Sequence, residues 1–361
     1  MLVWLDILTP KQLLLLNEIG KHLEKKGYQV LYTTRQYREV DDLVKLQGVK
    51  AVVVGEYGGG SLEGKLAASA HRIEELSHII GSAKPALSLA FASPDAARVA
   101  FGLGIPHYTI NDSPHSIPVA RLTIPLAEKL FAPAVIPKKT WIGLGARRDQ
   151  IIQYNGLDPV AWLRHHKPNP AILNELSLDS SRPIVVFRAE EAFAAYLIGK
   201  VTAQSVTVPI MNDLIRSHAN EAQIVVLARY PEQVSAIRSA LPKEVVVPSK
   251  AVDGASLLSF TSLFVGAGGT MTAEAALLGV PAISCYPGEP TIVEKYLVRE
   301  RLIQRICEPK LAVKRVRQIL RDLSNELTCQ REKARLLMNS MEDPVDIVVR
   351  QVEDAFPPVL E

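Results

Sequence analysis

Hydrophobic and polar positions along this chain alternate between two periods almost from end to end. Short apolar runs at residues 2–5, 28–33, 51–54, 86–90 and 107–110 read as buried strands. Between them lie segments with an apolar stripe at helical spacing. In residues 11–26, Leu13, Leu16, Ile19 and Leu23 share one face, Thr9-Pro10 supplies a cap and a first-turn proline, and Gly27 supplies the stop. Residues 62–80 and 94–103 read as two further helices. The pattern stutters over residues 133–181, which hold Pro133, Pro137, Pro159, Pro168 and Pro170, with a last strand expected at 150–154 before the Asn155-Gly156 turn. Alternation then resumes, with strands expected at 183–187, 223–227, 244–247, 262–265 and 281–285. Strands separated by helices imply βαβ units and parallel sheets. The pattern therefore predicts an α/β protein of two doubly wound domains in series, at residues 1–158 and 159–340. Residues 341–361 form a C-terminal segment expected to pack back on the first domain.

Composition narrows the class. With 361 residues, 48% hydrophobic and 22% charged, the chain is long enough for two cores and too apolar for a disordered or fibrous protein. A formal charge of +3 does not announce a nucleic-acid partner. Three scattered cysteines (Cys285, Cys307 and Cys329) with no CxxC pair exclude a disulfide framework. No apolar run reaches the ~18 residues of a membrane span, and the apolar start lacks a basic leader and carries Asp6. A cytoplasmic setting is the expectation.

In doubly wound sheets ligands sit beyond the carboxyl ends of the strands, so chemistry is sought there. The sharpest signal is residues 264–281, where a buried strand runs into Gly266, Gly268 and Gly269 and a helix opens near Thr270. Glycines let a backbone approach a ligand closely, and N–H groups at a helix start attract phosphate. Glu274, one turn further, could accept both hydroxyl protons of a ribose; a tight turn with no ligand is the alternative. Arg188 ends the 183–187 strand, and with Glu190 beside it the local reading is a surface ion pair. Arg229-Tyr230-Pro231 also follows a strand and reads most simply as a helix start. In the first domain, Asn111-Asp112-Ser113-Pro114-His115-Ser116 places Asp112 and His115 on one loop, and Asp6 at the end of the first strand could join them. The same residues would also form an ordinary turn before Pro114.

Three further features resolve to bland readings. Residues 59–65 fit GxxxxGK, but Leu66 stands where a magnesium-binding hydroxyl belongs, leaving a glycine-rich loop. His165-His166 has no third ligand at useful spacing, so no metal site is expected. Residues 310–335 carry eight Lys/Arg against Asp322, Glu326 and Glu332 without aromatic anchors, which reads as a solvated helix surface.

Gly268, Gly269, Glu274 and Gly279-Val280-Pro281 resemble the carboxy-terminal nucleotide-sugar site of GT-B proteins such as UDP-N-acetylglucosamine 2-epimerase and the N-acetylglucosaminyltransferase of peptidoglycan synthesis. Over nearly its whole length the chain resembles the narrower family catalogued as domain of unknown function 354. The segments that carry this are residues 4–10, 93–106, 154–157, 229–233 and 266–270. The resemblance implies two Rossmann-like doubly wound domains facing a cleft and a glycosyltransferase with a UDP-sugar donor as substrate and no separate cofactor. Its partners would be that nucleotide sugar and an unidentified acceptor, with a peripheral membrane contact if the acceptor is lipid-linked. The implied donor site is Arg188, as a diphosphate clamp oriented by Glu190, with Gly266, Gly268, Gly269, Thr270 and Glu274, and the catalytic candidates are Asp112, His115 and Asp6. Two readings stay open beside it: an epimerase and a non-catalytic nucleotide-sugar binder. Phe187 stands where epimerases have a histidine, and Pro118-Val119 where they have a carboxylate.

Overall fold

The computed structural model describes residues 1–188, 211, 215, 216, 222–228 and 231–358. These fall into two compact units, Met1–Trp162 with Met341–Glu361 and Leu163–Ser340. The first unit holds seven parallel strands: β1 (Leu2–Ile7), β2 (Gln29–Gln36), β3 (Ala51–Glu56), β4 (Leu87–Phe91), β5 (His107–Ile110), β6 (Lys129–Pro133) and β7 (Ile151–Tyr154). Their order is β3-β2-β1-β4-β5-β6-β7, so the winding reverses between β1 and β4. The crossovers are α1 (Pro10–Lys25), α2 (Arg38–Leu46), α3 (Leu62–Ala83), α4 (Pro94–Gly102), α5 (Ile117–Thr123) and the short α6 (Lys138–Ile142).

Continuous apolar strands are what a sheet covered on both faces requires. Trp4, Leu5 and Leu89 are fully buried, as are Leu13, Leu16, Ile19 and Leu23, the stripe of α1. On the other face Trp4 packs with Leu76 and Ile80 of α3 and with Val99 of α4. The helix Pro344–Ala355 closes this unit by lying on α1, burying Val345, Val348 and Val352. Tyr28 donates to the Phe356 carbonyl (2.7 Å), and the backbone N–H of Asn155 donates to the Glu342 carboxylate (2.6 Å).

The second unit has β8 (Ile184–Arg188), β9 (Gln223–Leu227), β10 (Leu263–Gly266), β11 (Ala282–Ser284) and β12 (Ile303–Arg305), all parallel in the order β12-β11-β10-β8-β9. Here the winding reverses between β8 and β10. Residues 244–247, expected as a strand, form only an isolated bridge from Val246 to Val225. Pro242 and Pro248 bracket the segment, and neither has an N–H to extend a ladder. Two strands escaped the hydrophobic pattern. β6 ends on a proline, a residue read as a breaker, and β12 is three residues long. No helix among the described residues is long and apolar enough to cross a membrane.

Candidate functional site

At the carboxyl edge of the second sheet, Arg188 and Gly266 are direct register partners on β8 and β10, the two strands that flank the reversal. Beyond Gly266 the backbone takes φ values of +78° at Gly268 and +86° at Gly269, and Gly269 caps the helix Thr270–Leu277 with ψ −171°. That conformation is nearly closed to L side chains, so the glycine pair is a backbone requirement. A Cβ on Gly268 would lie 3.4 Å from Glu294 Oε2 and 3.5 Å from Tyr286 Cβ. The other oxygen of Glu294 accepts from Ser284 Oγ at the end of β11 (2.6 Å). Arg188 Nη1 donates to the Ala228 carbonyl (3.2 Å). Glu274 is 4% exposed, on a helix whose residues from Thr272 to Leu277 are all buried. Glu294 is therefore a second carboxylate, which sequence reasoning missed and which lies against the glycine turn. Its signal was present in Thr291, which caps its helix by accepting from the Glu294 N–H (3.1 Å). Glu190, Arg229 and Tyr230 lie outside the described residues, as do the side-chain contacts of Pro231.

In the first unit the carboxyl ends of β1, β4, β5 and β7 converge on Lys11. Thr9-Pro10 turns the chain from β1 into α1 and delivers this lysine to the sheet edge. Its ammonium stands 4.5 Å from the centre of the Phe91 ring at the end of β4 and 2.6 Å from Asp158 Oδ2 beyond β7. It also pairs with Asp112 beyond β5. Tyr154 donates to Asp158, and Ser113 Oγ donates to Asp112 Oδ1 (2.7 Å). Sequence reasoning missed Lys11, Tyr154 and Asp158.

The charges explain one another. Burial alone would raise the Asp112 pKa, but the Lys11 ammonium outweighs it and holds the carboxyl below its usual range. Asp158, wholly buried, is pushed up to about 6 by burial and by the charge of Asp112, with Lys11 opposing. Lys11 is itself raised, because two carboxylates overcome the desolvation that would lower it. The cluster thus combines an ionised carboxylate, an ammonium and a carboxyl able to hold a proton near neutrality. His115 is exposed at the surface of its loop. Partial desolvation of its ring lowers its pKa, with Asp112 opposing and Lys11 reinforcing.

Asp6 occupies a different place. It is fully buried, and both oxygens are engaged by Arg72 of α3, at 2.6 and 3.2 Å. Thr33 and Ser93 also donate to it, at 2.6 and 2.7 Å. Burial raises its pKa, but the Arg72 charge and these hydrogen bonds more than reverse the effect. Arg72 continues to Asp95 (3.1 Å) and the Val54 carbonyl (2.9 Å), so Asp6 anchors β1, β2, α3 and α4 to one another. His166 is likewise absorbed locally, with Nε2 3.2 Å from Ser256 Oγ.

Comparison with known proteins places the chain. The family described as Protein of unknown function (DUF354) matches residues 1–356. An uncharacterized protein of Methanocaldococcus jannaschii, MJ0665, is 28% identical over 356 residues, covering 97% of each chain. Among solved structures, the M. jannaschii UDP-GlcNAc 2-epimerase in complex with UDP-GlcNAc and UDP superposes with a TM-score of 0.70. It is 14% identical, over 98% of this chain and 100% of that one. The spinosyn rhamnosyltransferase SpnG superposes with a TM-score of 0.62 at 15% identity, over the same shares. At these identities the likeness is one of fold, and that fold is GT-B-like.

Proposed function

We propose that this chain, which belongs to the DUF354 family of proteins of unknown function, is a glycosyltransferase that takes a UDP-linked sugar as donor. The observation that carries the reading is the pairing of Arg188 with Gly266 at the winding reversal, followed by two left-handed glycines at a helix start. N–H groups at that helix start suit a diphosphate and would stabilise the charge that develops on it as the glycosidic bond breaks, and Arg188, a register partner of Gly266 whose guanidinium here donates to the Ala228 carbonyl, would turn to the phosphates on binding. Gly268, Gly269 and Thr270 would hold the phosphates, with Glu274 accepting from the ribose. That two proteins of like fold are a UDP-GlcNAc 2-epimerase and a rhamnosyltransferase supports a sugar nucleotide as ligand.

The first unit would supply the base. The acceptor hydroxyl gives its proton to the base as its oxygen bonds to the anomeric carbon, and the carbon–oxygen bond to the diphosphate breaks to release UDP. Asp112 is made a weaker base by Lys11, whereas the partial desolvation that lowers the His115 pKa favours the neutral imidazole that a base requires. His115 is therefore assigned as base and Asp112 as the carboxylate that orients it. His115→Ala is expected to lower turnover ~10²–10⁴-fold, and Asp112→Asn to lower it as well, with UDP affinity by calorimetry unchanged in both. Wild-type turnover in both variants would remove the assignment.

A second reading is kept alive by one observation. Lys11 gathers Asp112 and Asp158, and Tyr154 donates to Asp158, so the cluster holds more acid and base groups than a single transfer needs and suits elimination and re-addition at a sugar. Incorporation of solvent deuterium into the sugar with no acceptor present would favour this epimerase chemistry.

A further inference from the structure

Outside the residues discussed so far, Arg35 stands out. It closes the carboxyl end of β2 and is only partly exposed, and its guanidinium carbon lies 5.6 Å from the centre of the Tyr37 ring and 5.1 Å from that of Tyr57. The two rings are 4.9 Å apart and inclined at 36°, so the three groups form a nearly equilateral triangle. Tyr57 is held there by its backbone N–H, which donates to the Gln36 carbonyl (3.1 Å). Arg35 Nε is buried and has no hydrogen-bond partner, and no carboxylate forms an ion pair with Arg35 among the described residues. Its neighbour Arg72 shows what a completed site looks like: its fork is spent on Asp6 and Asp95.

An arginine cannot relieve this position by losing its proton, and ring faces compensate only part of the lost hydration. Desolvation, and then the like charge of Arg72, both oppose the charged form of Arg35, with Asp95 and the two phenols working the other way. A partly buried guanidinium with an unspent Nε–H is a half-built fork, and the group whose geometry completes it is an oxyanion.

We propose that Arg35, flanked by Tyr37 and Tyr57, is a binding site for a phosphate or carboxylate group of a small-molecule ligand. This site is built from residues of the first unit alone, and it stands whether or not UDP binds at the glycine turn. Phosphate and carboxylate share the recognition chemistry, so the two are separated by titration.

The test is the Arg35 Nε–Hε signal in full-length protein labelled with ¹⁵N-arginine. The signal is assigned by its loss in Arg35→Lys, and sodium phosphate and sodium acetate are titrated against sodium chloride at matched ionic strength. The site predicts a saturable shift of the Arg35 signal with phosphate, acetate or both, while Arg72 stays still. A signal that moves with neither anion, or no differently from the chloride series, overturns the proposal. Because the readout is the side chain itself, phosphate captured by the glycine turn cannot imitate it. Should Arg35→Lys fail to fold, Arg35→Gln serves for the assignment and the wild-type titration still decides.

Discussion

His107 and Asp158 are both buried in the first unit, and their titrations pull its stability in opposite directions. The His107 imidazole, 3.0 Å from Ser88 Oγ through Nδ1, is pushed down to about 4 by burial, with Asp6 opposing. Below its ordinary pKa of ~6.5 the unfolded chain takes a proton that the fold refuses, so stability falls from there down to about 4. Asp158 does the reverse: its folded pKa of about 6 exceeds the unfolded value of ~3.9, so stability falls as pH rises through that window. His107→Gln should therefore flatten the loss of stability between pH 6.5 and 4, and Asp158→Asn should steepen it between pH 6 and 4. Urea unfolding at closely spaced pH values reads both slopes. Wild-type slopes in both variants would mean that neither group titrates as its surroundings dictate.

At the scale of elements, the sheet edge is built on the Arg72–Asp6–Asp95 network, which ties α3 and α4 to β1. Removing one partner of a buried ion pair leaves the other desolvated and unmatched. Arg72→Leu should accordingly cost about 3–5 kcal/mol in chemical denaturation. A loss near zero would show that Asp6 does not depend on this arginine. The outcome for Asp6 also marks how far local pattern carries. Strand, helix and loop were readable for β1, α1 and β5 because their signals are short-ranged, and the same holds for the loop bearing Asp112 and His115. Whether the carboxylate after β1 faces ligand or an arginine 66 residues away is a tertiary fact with no local signature. Lys11 drew no notice for the same reason, since its partners lie 101 residues away at Asp112 and beyond β7 at Asp158. Glu294 escaped because its contact with the glycine turn crosses from one βα loop to the next. The glycine turn itself was legible, because φ values of +78° and +86° demand glycine and so write themselves into the chain.

For the whole molecule, the chain leaves the first unit at Trp162 and returns to it at Met341. Removing residues 341–361 would uncover the α1 surface that buries Val345, Val348, Val349 and Val352, at roughly 1.5–3 kcal/mol for each side chain. The truncated chain should lose the cooperative unfolding of the first unit, seen by calorimetry, while the second unit keeps its transition. Unchanged unfolding would show that the returning helix is dispensable. The central claim, that the second unit holds a nucleoside diphosphate at Gly266–Thr270, is tested most directly by calorimetric titration of UDP into wild-type protein and Gly269→Ala, with thermal unfolding of both as the control. The alanine has room for its Cβ but not for its backbone, since nothing lies within 4 Å of that position while φ is +86°. The account predicts saturable binding to the wild type and affinity about tenfold or more weaker in a folded Gly269→Ala. No binding of UDP to the wild type, or equal affinity in the two proteins, would contradict it.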